Sequence, residues 1–159
     1  MKRIFTVILI AVVTATLFSS CKKEEDGGLS GTFVAQSIYD WIYYLNDGTS
    51  YSLRNDDFIT EGQVNDMFGI VSQISFRFTG SSCYLIAGGM ESASASYTLS
   101  GDRLTIKDSS MTLTFGYKTS PQTMFVWDLN TLRSMGADVS EFTQLGITDF
   151  ELWVAMRKK

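Results

Sequence analysis

Residues 91–107 read Glu91-Ser92-Ala93-Ser94-Ala95-Ser96-Tyr97-Thr98-Leu99-Ser100-Gly101-Asp102-Arg103-Leu104-Thr105-Ile106-Lys107. Ala93, Ala95, Tyr97 and Leu99 alternate with Ser92, Ser94, Ser96, Thr98 and Ser100. Successive strand side chains point to opposite faces, so one face of this run meets a core and the other meets water. Gly101-Asp102 has the composition of a two-residue hairpin loop. The chain then returns with Leu104 and Ile106 on the inner face and Thr105 and Lys107 on the outer one.

The pattern extends in both directions. Downstream, Asp108-Ser109-Ser110 turns into a strand that puts Met111, Leu113, Phe115 and Tyr117 inward, against Thr112, Thr114, Gly116 and Lys118. Upstream, Ile74, Phe76 and Phe78 alternate with Ser75, Arg77 and Thr79, and Gly80-Ser81-Ser82 turns into a more uniformly apolar strand from Cys83 to Ala87. Thr119-Ser120-Pro121 breaks the chain before a strand over 122–129, and the run 149–157 aligns Phe150, Leu152, Val154 and Met156. Nearer the N-terminus, 31–36 and 39–45 read as strands, Asn46-Asp47-Gly48 as a turn and 49–54 as a further strand. Two helices fit the apolar spacing: one over 61–71 capped by Thr60, and one within 131–145 that contains a breaking point at Gly136.

Short strands joined by hairpins at regular intervals predict an all-β fold. The expected architecture is an antiparallel up-and-down β-barrel of about eight strands with one or two short helices, which hides its own edges; a two-sheet β-sandwich is the alternative. The 159 residues suit one domain.

The first twenty residues stand apart. Lys2 and Arg3 precede an uncharged apolar run from Ile4 to Phe18 and the small pair Ser19-Ser20, the layout of a signal peptide. Leu17-Phe18-Ser19-Ser20-Cys21 resembles the lipobox of bacterial lipoproteins, although that family prefers Leu where Phe18 stands. The resemblance implies removal of residues 1–20 and acylation of Cys21, whose thiol forms a thioether that serine could not supply. Lys22-Lys23-Glu24-Glu25-Asp26, followed by Gly27-Gly28, is similar to the surface-export tether of Bacteroidota lipoproteins. Residues 21–28 are then lipid anchor and flexible tether, and 29–159 the folded domain.

Two or three acyl chains hold far better than one, so the expected partner is a membrane, with the chain in the cell envelope at the outer membrane and facing the surface. Loss of Lys2 and Arg3 takes the formal charge from −4 to about −6, which disfavours nucleic acid. Cys83 is then the one cysteine left without lipid, and its expected place is the core.

A second resemblance rests on Leu29-Ser30-Gly31-Thr32-Phe33, on Tyr97-Thr98-Leu99-Ser100-Gly101-Asp102-Arg103-Leu104, and on a helix before the last strand. These look like small bacterial lipocalin-like domains, with Phe33 where lipocalins usually carry tryptophan. The likeness implies a barrel with an interior cup able to hold one small apolar molecule.

Chemistry by the common routes has little to work with. The chain has no histidine, which removes the Ser-His-Asp triad, the Cys-His pair and imidazole metal ligands. Asp56, Asp57 and Glu61 form an acidic cluster that reads as solvated turn residues, without the alternating loop of a calcium site. The glycines form no phosphate-binding loop. No catalytic residue, metal or cofactor is assigned, and the chain is read as a non-enzyme.

Aromatic residues are the richer signal: Tyr39, Trp41, Tyr43, Tyr44 and Tyr51 crowd one region, and Phe125 and Trp127 share a later strand. Tyrosine and tryptophan join a flat apolar face to one hydrogen-bonding atom. The first expectation is a non-enzymatic binding module for a small apolar or amphipathic ligand, held at the barrel mouth by Trp41, Tyr43, Tyr97, Tyr117 and Trp127. The alternative is a surface interaction or scaffold lipoprotein that meets glycan or protein through exposed aromatics. By alternation, Tyr44 cannot share a face with Trp41 and Tyr43.

Overall fold

In the computed structural model, which describes residues 28–55, 59–136 and 138–159, the hairpin at Gly101-Asp102 pairs Ser100 with Arg103 and Tyr97 with Ile106. The strands follow in chain order as β1 (Gly31–Leu45), β2 (Ser50–Ser52), β3 (Ile74–Thr79), β4 (Ser82–Ala87), β5 (Met90–Glu91), β6 (Ala95–Ser100), β7 (Arg103–Lys107), β8 (Thr112–Lys118), β9 (Met124–Asp128) and β10 (Ile147–Lys158). Every pairing is antiparallel, and β10 pairs back onto β1, so β1, β3, β4, β6, β7, β8, β9 and β10 close an eight-stranded barrel of lipocalin-like form. The short β2 and β5 flank β1 and β4. The barrel, not the sandwich, is the outcome.

Among the described residues three helices accompany the strands: α1 (Glu61–Val71), α2 (Leu129–Ser134) and α3 (Ser140–Gln144). Thr60 caps α1 through a reciprocal capping box with Gln63, and Met67, Ile70 and Val71 enter the core. The helical spacing over 131–145 is divided after Met135, where Gly136 takes φ +81°, a conformation costly for other residues. All three helices join strands at the barrel end where β3 begins and β9 stops.

Two strand readings are corrected. The runs 31–36 and 39–45 form one strand, with register irregularities between Ala35 and Ser37 and between Ile38 and Asp40. The run 91–100 is broken instead of continuous: β5 and β6 pair with β4 one residue out of register, and Ala93 is exposed. The Ser92 hydroxyl accepts from the Leu85 amide and occupies the step between them.

Inward positions carry the apolar residues. Phe76, Phe78, Phe115, Phe125 and Phe150 are almost fully buried, as are Leu104 and Met67. The Phe76 ring lies 5.3 Å from Phe125, 5.4 Å from Phe115 and 6.5 Å from both Phe78 and Trp127. The contacts with Phe125, Phe115 and Trp127 are edge-to-face and that with Phe78 is stacked, and such pairs contribute about 0.5–1.5 kcal/mol each beyond burial. Outward positions such as Arg77, Thr98, Lys107, Thr112 and Lys118 are polar. That order is the reverse of a lipid-facing barrel.

The leader, Cys21 and the tether through Gly27 lie outside the described residues, as do Asp56 and Asp57.

Candidate functional site

The five aromatics expected to line a cup are distributed otherwise. Trp41, Tyr43, Tyr97 and Trp127 are 2%, 7%, 2% and 3% exposed and belong to the packed core, while Tyr117 is half-buried with its ring 6.1 Å from Phe125. Trp41 and Tyr43 pack against each other at 5.3 Å. The Tyr97 hydroxyl lies 2.8 Å from the Leu29 carbonyl and 3.0 Å from that of Gly80, so it ties the start of the domain to the β3–β4 turn. Trp127 Nε1 is buried without a hydrogen-bond partner among the described residues, a cost of about 1–3 kcal/mol that its ring contacts offset. A void beside Phe76, Cys83 and Ile106 measures about 10 Å³, room for about one water.

Burial pushes the Cys83 thiol and the Tyr43 phenol well above their ordinary values. A thiol that stays protonated in an apolar interior is inert as a nucleophile.

A larger space lies outside. A cleft of about 540 Å³ runs along the outer wall over β7, β8, β9 and β10, with α2 at one end. Register explains its shape: Trp153 on β10 stands beside Val126 on β9, Val126 beside Gly116 on β8, and Gly116 beside Arg103 on β7. The middle of that row is low because Gly116 has no side chain. A Cβ on Gly116 would come within 2.9 Å of Val126 Cβ, closer than packed atoms allow. Trp153 and Arg103 therefore rise on either side of a floor made by Val126 and Gly116.

The walls are held in place from behind. Trp153 Nε1 donates to Glu151 Oε2 at 2.7 Å, and the Tyr44 hydroxyl donates to Glu151 Oε1 at 3.2 Å. Burial, then the Glu151 charge and hydrogen bond, raise the Tyr44 phenol. Tyr39 packs against Trp153 at 6.5 Å, and the Arg54 guanidinium sits 4.6 Å over the Tyr39 ring while donating to its hydroxyl at 2.7 Å. Simple alternation would place Tyr39 inside with Trp41. The irregularity between Ile38 and Asp40 turns it outward, as bulges do. Tyr44 faces outward as alternation requires.

At the helix end, Asp128 caps α2 by accepting from the Thr131 amide at 2.7 Å, and Thr131 Oγ1 donates to the Thr114 carbonyl. At the other end Lys118 pairs with Asp102 at 3.1 Å, which holds the Asp102 carboxyl below its usual range. Asp128 and Glu151 stand directly opposite each other on β9 and β10, an arrangement that like charges disfavour. Among the described residues, no group of three or more His, Cys, Asp or Glu side chains could hold a metal ion.

Trp153, Glu151, Arg103 and Gly116 were not singled out by sequence reasoning. The signal for Trp153 was available: Leu152 and Val154 face the core, so the ring between them occupies an outward position normally given to polar residues. The depth that Gly116 creates depends on cross-strand register, which no single run of sequence contains.

No protein family, no curated protein and no solved structure matches the chain.

Proposed function

We propose that this chain is a bacterial lipoprotein of the cell envelope, anchored through acyl chains on Cys21, that works as a non-enzymatic binding module with its ligand on the outer wall of the barrel. The observation that carries this reading is the contrast between an interior filled by its own rings and an exterior cleft of about 540 Å³, within the size range of small-molecule sites of about 300–1,000 Å³. An apolar cargo inside would have to displace Phe76, Phe115 and Trp127 from contacts they already make. The interaction reading, in which exposed aromatics meet a partner, fits Trp153, Tyr39 and Tyr44 on the outside.

Two measurements test the proposal. Cys21→Ala should abolish metabolic acyl labelling and move the protein out of the membrane fraction; unchanged labelling and fractionation contradict the anchor. A photo-crosslinking phenylalanine analogue placed at Trp153 should form adducts in the producing cell, while the same analogue at Phe115 should form none. Adducts from position 115 alone would place the ligand inside.

A further inference from the structure

Resting on the outer-wall reading, we infer that the cleft between Trp153 and Arg103 is a saccharide-binding site, with the Trp153 indole as the surface on which a sugar ring lies.

A sugar ring has one face of C–H groups and a rim of hydroxyls. A site for it needs a flat apolar surface, fixed hydrogen-bonding groups around the edge, and a groove wide enough for a ring. Trp153 supplies the surface, half-buried on the outer wall. Its indole N–H is already committed to Glu151 and its ring packs on Tyr39, so the plane is fixed before any ligand arrives. Little ordering remains to oppose binding. Val126 and Gly116 keep the floor low beside the ring, so a ligand can lie flat against the sheet.

The rim is polar along its length. Asn130 and Ser134 on α2 are exposed at one end, and Arg103 is exposed at the side opposite Trp153. Asp128 and Glu151 each have one carboxylate held by neutral donors from the protein, namely Thr131 for Asp128, and Tyr44 with Trp153 for Glu151. Carboxylates, an amide and a guanidinium around one aromatic plane match the donors and acceptors of hydroxyl groups better than they match an apolar chain. An apolar ligand would cover the exposed Arg103 guanidinium and Asn130 amide without accepting from them, which weakens binding.

The test presents the purified full chain, in detergent micelles, to an array of neutral, N-acetylated and uronic acid oligosaccharides, followed by calorimetry with the members that bind. At least one class of oligosaccharide should bind, and Trp153→Ala should weaken that binding about tenfold or more, as expected when a central aromatic contact is removed. Trp153→Phe should keep part of the affinity because a flat ring remains, and Met90→Ala on β5 should leave it unchanged. Urea midpoints of the variants confirm that each is folded.

An array with no binding above blank overturns the saccharide inference, as does binding that Trp153→Ala leaves intact. An empty array together with adducts from position 153 in the cell sinks the saccharide while leaving the outer-wall reading in place. An empty array together with adducts only from position 115 sinks both.

Discussion

The inside and the outside of this barrel wall are built from the same strands with opposite results. On β9, Phe125 and Trp127 turn inward and meet rings from β3 and β8, whereas Val126 between them turns outward and forms the floor of a cleft. On β10, Leu152 and Val154 are core residues, and Trp153 between them is the cleft wall. The interior is crowded because large residues face one another from several strands. The exterior is hollow because one residue in the facing row, Gly116, is the smallest available. A cleft can thus arise on the outside of a filled barrel from a single missing side chain.

The packed interior is most vulnerable at Phe76. Phe76→Ala removes a ring that touches Phe78, Phe115, Phe125 and Trp127, and should lower unfolding stability by about 3–5 kcal/mol, read as a fall in the urea midpoint. That is a large share of the roughly 5–15 kcal/mol typical of a domain. A near-neutral result would mean that the rings do not fill the barrel.

Alkaline pH probes the same interior without mutation. Burial raises the folded-state Tyr43 phenol and Cys83 thiol above their ordinary values of 10.0 and 9.0. The unfolded chain therefore loses these protons first. Stability is whole below the ordinary values and falls as pH rises past about 9 to 10 toward the folded ones. Urea titrations from pH 7 to 11 should show this decline, and Tyr43→Phe should make it shallower.

On the outer wall the effects shrink. Gly116→Ala puts a Cβ against Val126 and should cost about 1–3 kcal/mol by overpacking, again read from the urea midpoint. Trp153→Ala should cost less than Phe76→Ala, about 1 kcal/mol, because its ring is half-buried and sits on the sheet instead of within it. Equal losses at positions 76 and 153 would erase the distinction between the two faces.

How much of this was legible beforehand follows from periodicity. Alternation over 74–79, 91–107 and 111–118 points to strands because a half-buried strand needs a period of two, and strands form there except across 92–94. Thr60 and the spacing after it marked α1, and Gly136 marked the break between α2 and α3. Less visible were the features made by pairing. The bulge that turns Tyr39 outward, the step at Ser92 and the closure of β10 onto β1 depend on a partner strand distant in sequence.

The candidate site followed the same division. The aromatic residues chosen from sequence were real features of the structure, but alternation sent Trp41, Tyr43, Tyr97 and Trp127 to the core. The residues that form the cleft meet only through register across β7 to β10.

Side chains of the protein fill the barrel interior. Native mass spectrometry of the purified protein tests this most directly. The expected mass is that of the polypeptide with no more than the acyl chains proposed on Cys21, under conditions gentle enough to keep noncovalent ligands. A stoichiometric additional lipid, retained by the unaltered protein and lost on Phe115→Trp, would contradict it.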